Sequence, residues 1–181
     1  MWHDARREIE SSWARRGEDG MEIEMKIRGL MMDPVTNMPI VILKDVDGNA
    51  VLPIWVGIYE ANAIALEIEK VATPRPMTHD LLRNLLHGLD ARVSKVVVCD
   101  LRDDTFYALI WLERDGQTIS VDSRPSDALA LALRVDCPIY VEDMVLKNSK
   151  IANASSDKVS SEELRKWLEN LNDEDIGRYK M

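Results

Sequence analysis

Period-two alternation, broken at short intervals by turn residues, runs through the first part of this chain and commits it to a strand-based fold. From Glu22 onward, Ile23, Met25, Ile27 and Gly29 fall on one side, with Glu22, Glu24, Lys26 and Arg28 on the other. That is the pattern of a half-buried strand. Asp33-Pro34-Val35-Thr36-Asn37 carries turn chemistry, and residues 39–43 read as a second strand. Asp45-Val46-Asp47-Gly48-Asn49 turns the chain again, and residues 50–56 make a third strand. Short turns between successive strands predict a three-stranded antiparallel meander.

Gly57 ends that pattern. Residues 58–70 have Ala61, Ile64, Ala65 and Ile68 at the spacing of one buried helical face. After a proline-rich bend, Thr78 is suited to cap a helix that runs through Leu81, Leu82, Leu85 and Leu86 to Gly88. Strands are expected at 91–99, 105–112 and 118–121, with Asp115-Gly116 as a hairpin turn. A third helix at 126–134 is entered through Asp122-Ser123-Arg124-Pro125, and a short strand at 138–141 and a helical turn near Met144 follow.

The expected class is α+β: a mixed, largely antiparallel sheet of meanders, three main helices packed on it, and a C-terminal amphipathic helix. Residues 1–20 read as a charged extension of weak helical character, 21–147 as the domain, and 148–160 as a polar linker. Within 161–181, Leu164, Trp167, Leu168 and Leu171 fall at i, i+3, i+4 and i+7, a stripe that needs a partner surface. There is also a faint internal echo. Arg75-Pro76 and Arg124-Pro125 each precede a helix with an Asp in its first turn, Asp80 and Asp127.

At 46% apolar and 30% charged residues, the composition suits a globular protein. Cys99 and Cys137 sit in apolar runs, with no second cysteine at metal-ligand spacing, which suits buried thiols in a reducing cytoplasm. No stretch approaches the ~20 apolar residues that span a bilayer, and the N-terminus lacks the apolar centre of a signal peptide. Cytoplasmic localisation, with no membrane partner, is the expectation. The formal net charge of −9 disfavours broad electrostatic attraction to a polyanion. It is unevenly spread, however: over 71–135, eight Lys and Arg face nine Asp and Glu.

No phosphate-binding glycine loop, nucleophile elbow or paired-cysteine motif is present, so any chemistry falls to carboxylates and arginines at helix edges. Around Thr78-His79-Asp80 the plain reading is a helix start, with a cap and a dipole-facing acid each worth about 1 kcal/mol. The sharper reading makes His79 and Asp80 a metal-ligand or acid/base pair. Around Asp122-Ser123-Arg124-Pro125-Ser126-Asp127, Pro125 suits a first helical turn. The same geometry lets Ser123, Arg124 and Ser126 hold a phosphate, or Asp122 and Asp127 hold Mg²⁺ or Mn²⁺. Glu60 and Glu67 share a helix face that is ordinarily solvated, and Glu60, beside the strand exit, is the better site candidate. Trp55 and Trp111 read as core or interface residues rather than base-stacking platforms.

Four of these stretches carry a family likeness. Met-Lys-Ile-Arg-Gly-Leu-Met-Met-Asp (25–33), Pro-Ile-Trp-Val-Gly-Ile-Tyr-Glu-Ala-Asn-Ala-Ile (53–64), Arg-Pro-Met-Thr-His-Asp-Leu (75–81) and Asp-Ser-Arg-Pro-Ser-Asp-Ala-Leu-Ala-Leu-Ala (122–132) resemble the bifunctional nuclease domain. Lys-Trp-Leu-Glu-Asn-Leu (166–171) is similar to the tail of its prokaryotic members. The resemblance implies an α+β fold, self-association into a homo-oligomer and, for some members, nuclease activity on RNA and DNA.

The expected function is therefore a metal-assisted nuclease. His79, Asp80, Asp122 and Asp127 are its candidate catalytic groups, and Glu60, Asp122 and Asp127 its ligands for a divalent Mg or Mn. Arg75, Arg124, Ser123 and Ser126 are the candidate phosphate contacts. The alternative is a non-catalytic oligomeric module that binds a small anionic ligand or a protein partner.

Overall fold

The computed structural model describes residues 21–33 and 36–155. The N-terminal extension and the C-terminal amphipathic stretch of the sequence lie outside the described residues. Among those described, seven strands form one mixed sheet: β1 (Glu22–Met32), β2 (Pro39–Asp45), β3 (Val51–Trp55), β4 (Arg92–Arg102), β5 (Thr105–Arg114), β6 (Gln117–Ser123) and β7 (Ile139–Glu142). Helices α1 (Ile58–Ile68), α2 (Thr78–Gly88), α3 (Pro125–Val135) and α4 (Asp143–Ser155) accompany it. The class is α+β, as the sequence predicts.

In space the strands run β3-β2-β1-β7-β4-β5-β6. Two antiparallel meanders thus lie side by side, with β7 between them, antiparallel to β1 and parallel to β4. Each meander runs outward from β7 and then enters a helix; of the two Arg-Pro pairs in the internal echo, Arg124-Pro125 follows β6 directly and Arg75-Pro76 lies between α1 and α2. Pro53 is tolerated because β3 is an edge strand, where a missing ladder N–H costs little. The β4–β5 turn has positive φ at Asp103 (47°) and Asp104 (59°), and the β5–β6 turn at Asp115 (51°) and Gly116 (72°). This is the signature of the two-residue turns whose twist matches that of paired strands.

The main core lies on one face of the sheet. Val96, Val98 and Val141 meet α3, whose Ala128, Leu129, Ala130, Leu131 and Ala132 are all buried. Small alanines let α1 and α2 pack closely against α3. The opposite face carries a smaller cluster, Val97, Cys99 and Leu109, shielded by Tyr107, Trp111 and Tyr140. Trp55 is half-buried and donates its indole N–H to buried Asp33 at 3.0 Å, and the Thr36 hydroxyl donates to the same carboxylate oxygen at 2.6 Å. It is a structural tryptophan, as expected.

Two local expectations are corrected, and the facing of α2 is a further finding. The helical turn near Met144 is a thirteen-residue helix that runs to Ser155, through the first part of the polar stretch taken as a linker. Val145 and Leu146 anchor it in the core, and Ser149 donates its hydroxyl to the Leu146 carbonyl at 2.9 Å, so tertiary packing overrides weak propensity. Thr78 is not the cap of α2. That position belongs to Met77, whose N–H donates to the Asp80 carboxylate at 2.9 Å. Finally, α2 does not bury its leucines. Leu81, Leu82 and Leu85 are 52%, 41% and 53% exposed, and the helix turns His79 inward instead.

Two glycines separate conformational need from mere tolerance. Gly116→Val, at φ 72°, is expected to lower stability by about 1–2 kcal/mol. Gly88→Ala, where a Cβ meets open space, is expected to raise it by about 0.5–1 kcal/mol. Urea unfolding of the two variants checks both signs.

Candidate active site at the helix N-termini

Three helix N-termini converge although the strands that feed two of them lie at opposite edges of the sheet. In a flat sheet, six strand spacings would hold β3 and β6 roughly 29 Å apart. Yet the Arg124 Nη1 donates to Glu60 Oε1 at 2.8 Å, because α1 and α3 pack against each other over the core face of a twisted, coiled sheet. Bulges in β1 at Arg28 and in β4 at Ser94 and Cys99 add to that coil.

Arg124 occupies the N-cap of α3 in an extended conformation (φ −70°, ψ 145°), and Pro125 follows at the first helical position, where its missing N–H costs nothing. From there its guanidinium turns back onto the first turn of its own helix. Nε donates to Asp127 Oδ2 at 2.7 Å and Nη2 to Asp127 Oδ1 at 3.2 Å. Glu60, at the third position of α1, reaches the same guanidinium from the other side. Its carboxylate lies over the N-cap residue Gly57, in the place that a Cβ at position 57 would take. Asp127 Oδ1 also lies 3.1 Å from His79 Nε2, at the start of α2. Glu60, His79, Arg124 and Asp127, from three separate sequence blocks, therefore form one connected network.

Electrostatics follow from this geometry. Burial pushes the Asp127 carboxyl up, but the Arg124 guanidinium and His79 outweigh it and hold the group below its ordinary value. The hydrogen bonds and charge of Asp127, with help from Glu60, raise Arg124 further. At Asp80, burial likewise opposes ionisation. The Met77 N–H and the Arg134 guanidinium overcome it and lower the pKa.

Asp80 therefore belongs to a second, structural network. Arg134, with its side chain 2% exposed, donates to Asp80 Oδ1 at 2.8 Å, to the Ala130 carbonyl at 2.8 Å and to the Ala63 carbonyl at 3.0 Å. One guanidinium thus ties α1, α2 and α3 together. Sequence reading missed Arg134. Its signal was a lone charge closing an apolar helical run, seven residues from Asp127 and so on the same helix face.

The remaining candidates are not drawn in. Asp122 pairs across the ladder with Leu109 and shares its face, away from the helices, where its charge is felt by the Cys99 thiol. Ser123 donates its hydroxyl to the Arg124 carbonyl at 2.8 Å, and Ser126 is buried. Arg75 is exposed in the bend before α2 and takes no part in the network. The expected metal ligands Glu60, Asp122 and Asp127 do not converge. The first two acids of any such set would be Glu60 and Asp127, and they flank a guanidinium. Among the described residues, no three His, Cys, Asp or Glu side chains are placed to hold a metal. Engaged by Arg124 and His79, the donors Glu60 and Asp127 do not fit the expected divalent ion.

The sequence matches the bifunctional nuclease domain over residues 41–154. An uncharacterised protein of Mycobacterium tuberculosis is 45% identical over 123 residues, 68% of this chain and 73% of that protein. Bifunctional nuclease 1 of Oryza sativa subsp. japonica is 27% identical over 113 residues, covering 60% of this chain and 34% of the rice protein. Bifunctional nuclease 1 of Arabidopsis thaliana is 24% identical over 168 residues, 84% of this chain and 52% of the plant protein. The chain therefore spans between a third and about half of the plant proteins.

Two outcomes are expected from this geometry. Asp80 and Asp127 have folded pKa values below the unfolded value of 3.8, so their stabilisation is fully present above that value. It is lost as pH falls through the lower folded values. The melting temperature should thus drop as pH is lowered from 5 to 2, and less steeply in Asp127→Asn. Arg134→Met leaves Asp80 largely buried without its partner and is expected to cost about 3–5 kcal/mol. Arg124→Met, at a side chain 64% exposed, should cost at most about 1 kcal/mol. Denaturant titration separates the two.

Proposed function

The chain belongs to the bifunctional nuclease domain family, and from that premise we propose that it hydrolyses phosphodiester bonds of RNA or DNA at the His79–Asp127–Arg124 cluster. The observation that supports this placement is a single carboxylate, Asp127, holding both a histidine and an exposed arginine. Three of the five Arg124 N–H groups engage Asp127 and Glu60, which leaves two to donate to a phosphate. Glu60 and Asp127 fix the guanidinium so that it meets the substrate pre-organised.

With Asp127 ionised, His79 carries its proton on Nε2, and Nδ1 becomes the acceptor. His79 is 7% exposed, so little of its ring is open to a reaction partner. Water would lose a proton to Nδ1 as its oxygen attacks phosphorus. The P–O ester bond on the opposite side of phosphorus would break, the departing oxygen would take its proton from solvent, and the imidazolium would return its own to solvent. Arg124 would stabilise the charge that builds on the non-bridging oxygens. Burial pushes the Cys99 thiol up to about 12 and the Cys137 thiol up to about 11, and both are free. Such inert thiols suit the reducing cytoplasm in which we place the protein.

A second reading has one observation in its favour: the ion pairs of the cluster close on one another, as in a clamp between helices. That suits a non-catalytic oligomeric module binding a small anion or a protein partner.

Labelled RNA and DNA, incubated with Mg²⁺, Mn²⁺ or EDTA, decide between the readings. Wild type is expected to cleave in all three arms. Folded His79→Asn and Asp127→Asn should lose at least about 100-fold in rate, and Asp122→Asn, on the far face, should keep wild-type activity. Abolition by EDTA or by Asp122→Asn alone would move the site elsewhere. Intact substrate in every arm, beside an active control nuclease, would leave the binding module.

A further inference from the structure

The N-terminal ends of α1 and α2 carry apolar side chains that the fold leaves in water. Tyr59 is 88% exposed and Ile58 61%, both in the first turn of α1, and Met77, the N-cap residue of α2, is 45% exposed. A lone exposed apolar residue is ordinary on a protein surface. These three, however, border one place, the cluster in which Glu60, His79, Arg124 and Asp127 meet. Tyr59 immediately precedes Glu60, whose Oε1 accepts from Arg124 Nη1 at 2.8 Å. Met77 lies two residues before His79, whose Nε2 is 3.1 Å from Asp127 Oδ1.

Helix geometry fixes where the Tyr59 ring lies. Side chains on a helix lean toward its N-terminus and cover the turn before their own Cα. Tyr59 holds the second helical position, so that turn is missing and the ring projects over the open end of α1. Glu60, next along, folds back over Gly57 and draws the Arg124 guanidinium to the same end. A flat aromatic ring and a guanidinium with two unengaged N–H groups thus stand at one helix end.

Resting on the nuclease reading above, we propose that Tyr59 is a base-stacking residue: it receives an unpaired nucleobase beside the phosphate held by Arg124, and so makes single-stranded RNA or DNA the preferred substrate. Every nucleobase has a π face, so stacking on tyrosine recognises a single strand without reading its sequence. In a duplex those faces are covered by the neighbouring base pairs, and Tyr59 has nothing to receive. Stacking also suits an acidic chain. With a net charge of −9 the protein draws no polyanion from afar, and contact between two neutral rings needs no such field. Ile58 and Met77 supply an apolar rim to the same place.

Fluorescence anisotropy on the full chain, in a folded His79→Asn background that does not cleave, measures affinity for a labelled single strand, for the same strand with abasic sites and for its duplex. The single strand is expected to bind most tightly. Tyr59→Ala should weaken its binding about 5- to 150-fold and leave the abasic strand and the duplex unaffected. It should also leave the salt dependence of binding unchanged, because no phosphate contact is lost. Tyr59→Phe should bind as the parent does. At 88% exposure the ring supports no packing, so neither substitution disturbs folding. Single-strand affinity that survives Tyr59→Ala overturns the inference; where it still falls with Arg124→Met, the nuclease reading stands. Equal affinity for single strand and duplex overturns it too, as does an equal loss on the abasic strand, which gives Tyr59 a role other than stacking. No binding to any of the three, with wild type leaving its substrate intact, sinks both inference and reading.

Discussion

The buried guanidinium of Arg134 is the interaction on which the arrangement of the helices depends. A cation almost wholly out of water is stable only if its donors are matched, and here they find one carboxylate and two helix carbonyls. Because Asp80 belongs to α2 and Ala63 to α1, satisfying Arg134 docks both helices on α3. This explains how α2 can sit on the domain while its leucines point outward. Ionic and hydrogen-bonding contacts hold it, with Leu86 as its apolar foot. Without the guanidinium, α2 would rest on the His79–Asp127 contact and Leu86.

The coil of the sheet is the second constraint. Each meander runs outward from β7, so the helices that follow β3 and β6 start at opposite edges. Their packing against each other over the core face of the coiled sheet returns them to each other. Three strand bulges and two tight turns with positive φ supply that shape locally. Its consequence is that Glu60 and Arg124, 64 residues apart, meet at 2.8 Å. The same convergence brings His79 to Asp127, so the building of the fold and the building of the site are one event.

The chemistry of the cluster is set by competition for Asp127. Its two oxygens serve a guanidinium and an imidazole, which leaves it poorly disposed to act as a free ligand. It is well disposed to orient both partners. An acidic chain with a net charge of −9 offers no long-range attraction to a polyanion, so contact with one rests on short-range donors such as those of Arg124. Asp122 illustrates how a plausible acid is excluded. One position along a strand decides which face a side chain takes, and Asp122 falls on the face away from the helices.

Local pattern alone determined the elements of this protein. The alternation in β1, the Asp- and Gly-containing turns and the Arg-Pro entry to α3 depend on neighbours a few residues away, and each is realised close to where the sequence places it. The α+β class follows from the same short-range rules. Tertiary structure decided the rest, because the deciding contacts join residues 48 to 71 positions apart. The insertion of β7 between the meanders, the length of α4, the outward turn of Leu81 and Leu85, and the grouping of Glu60, His79 and Asp127 without Asp122 all belong to it. A helical wheel shows that α2 has an apolar side. Only the energy of satisfying the buried Arg134, with Asp127 drawing in His79, dictates that the polar side faces inward.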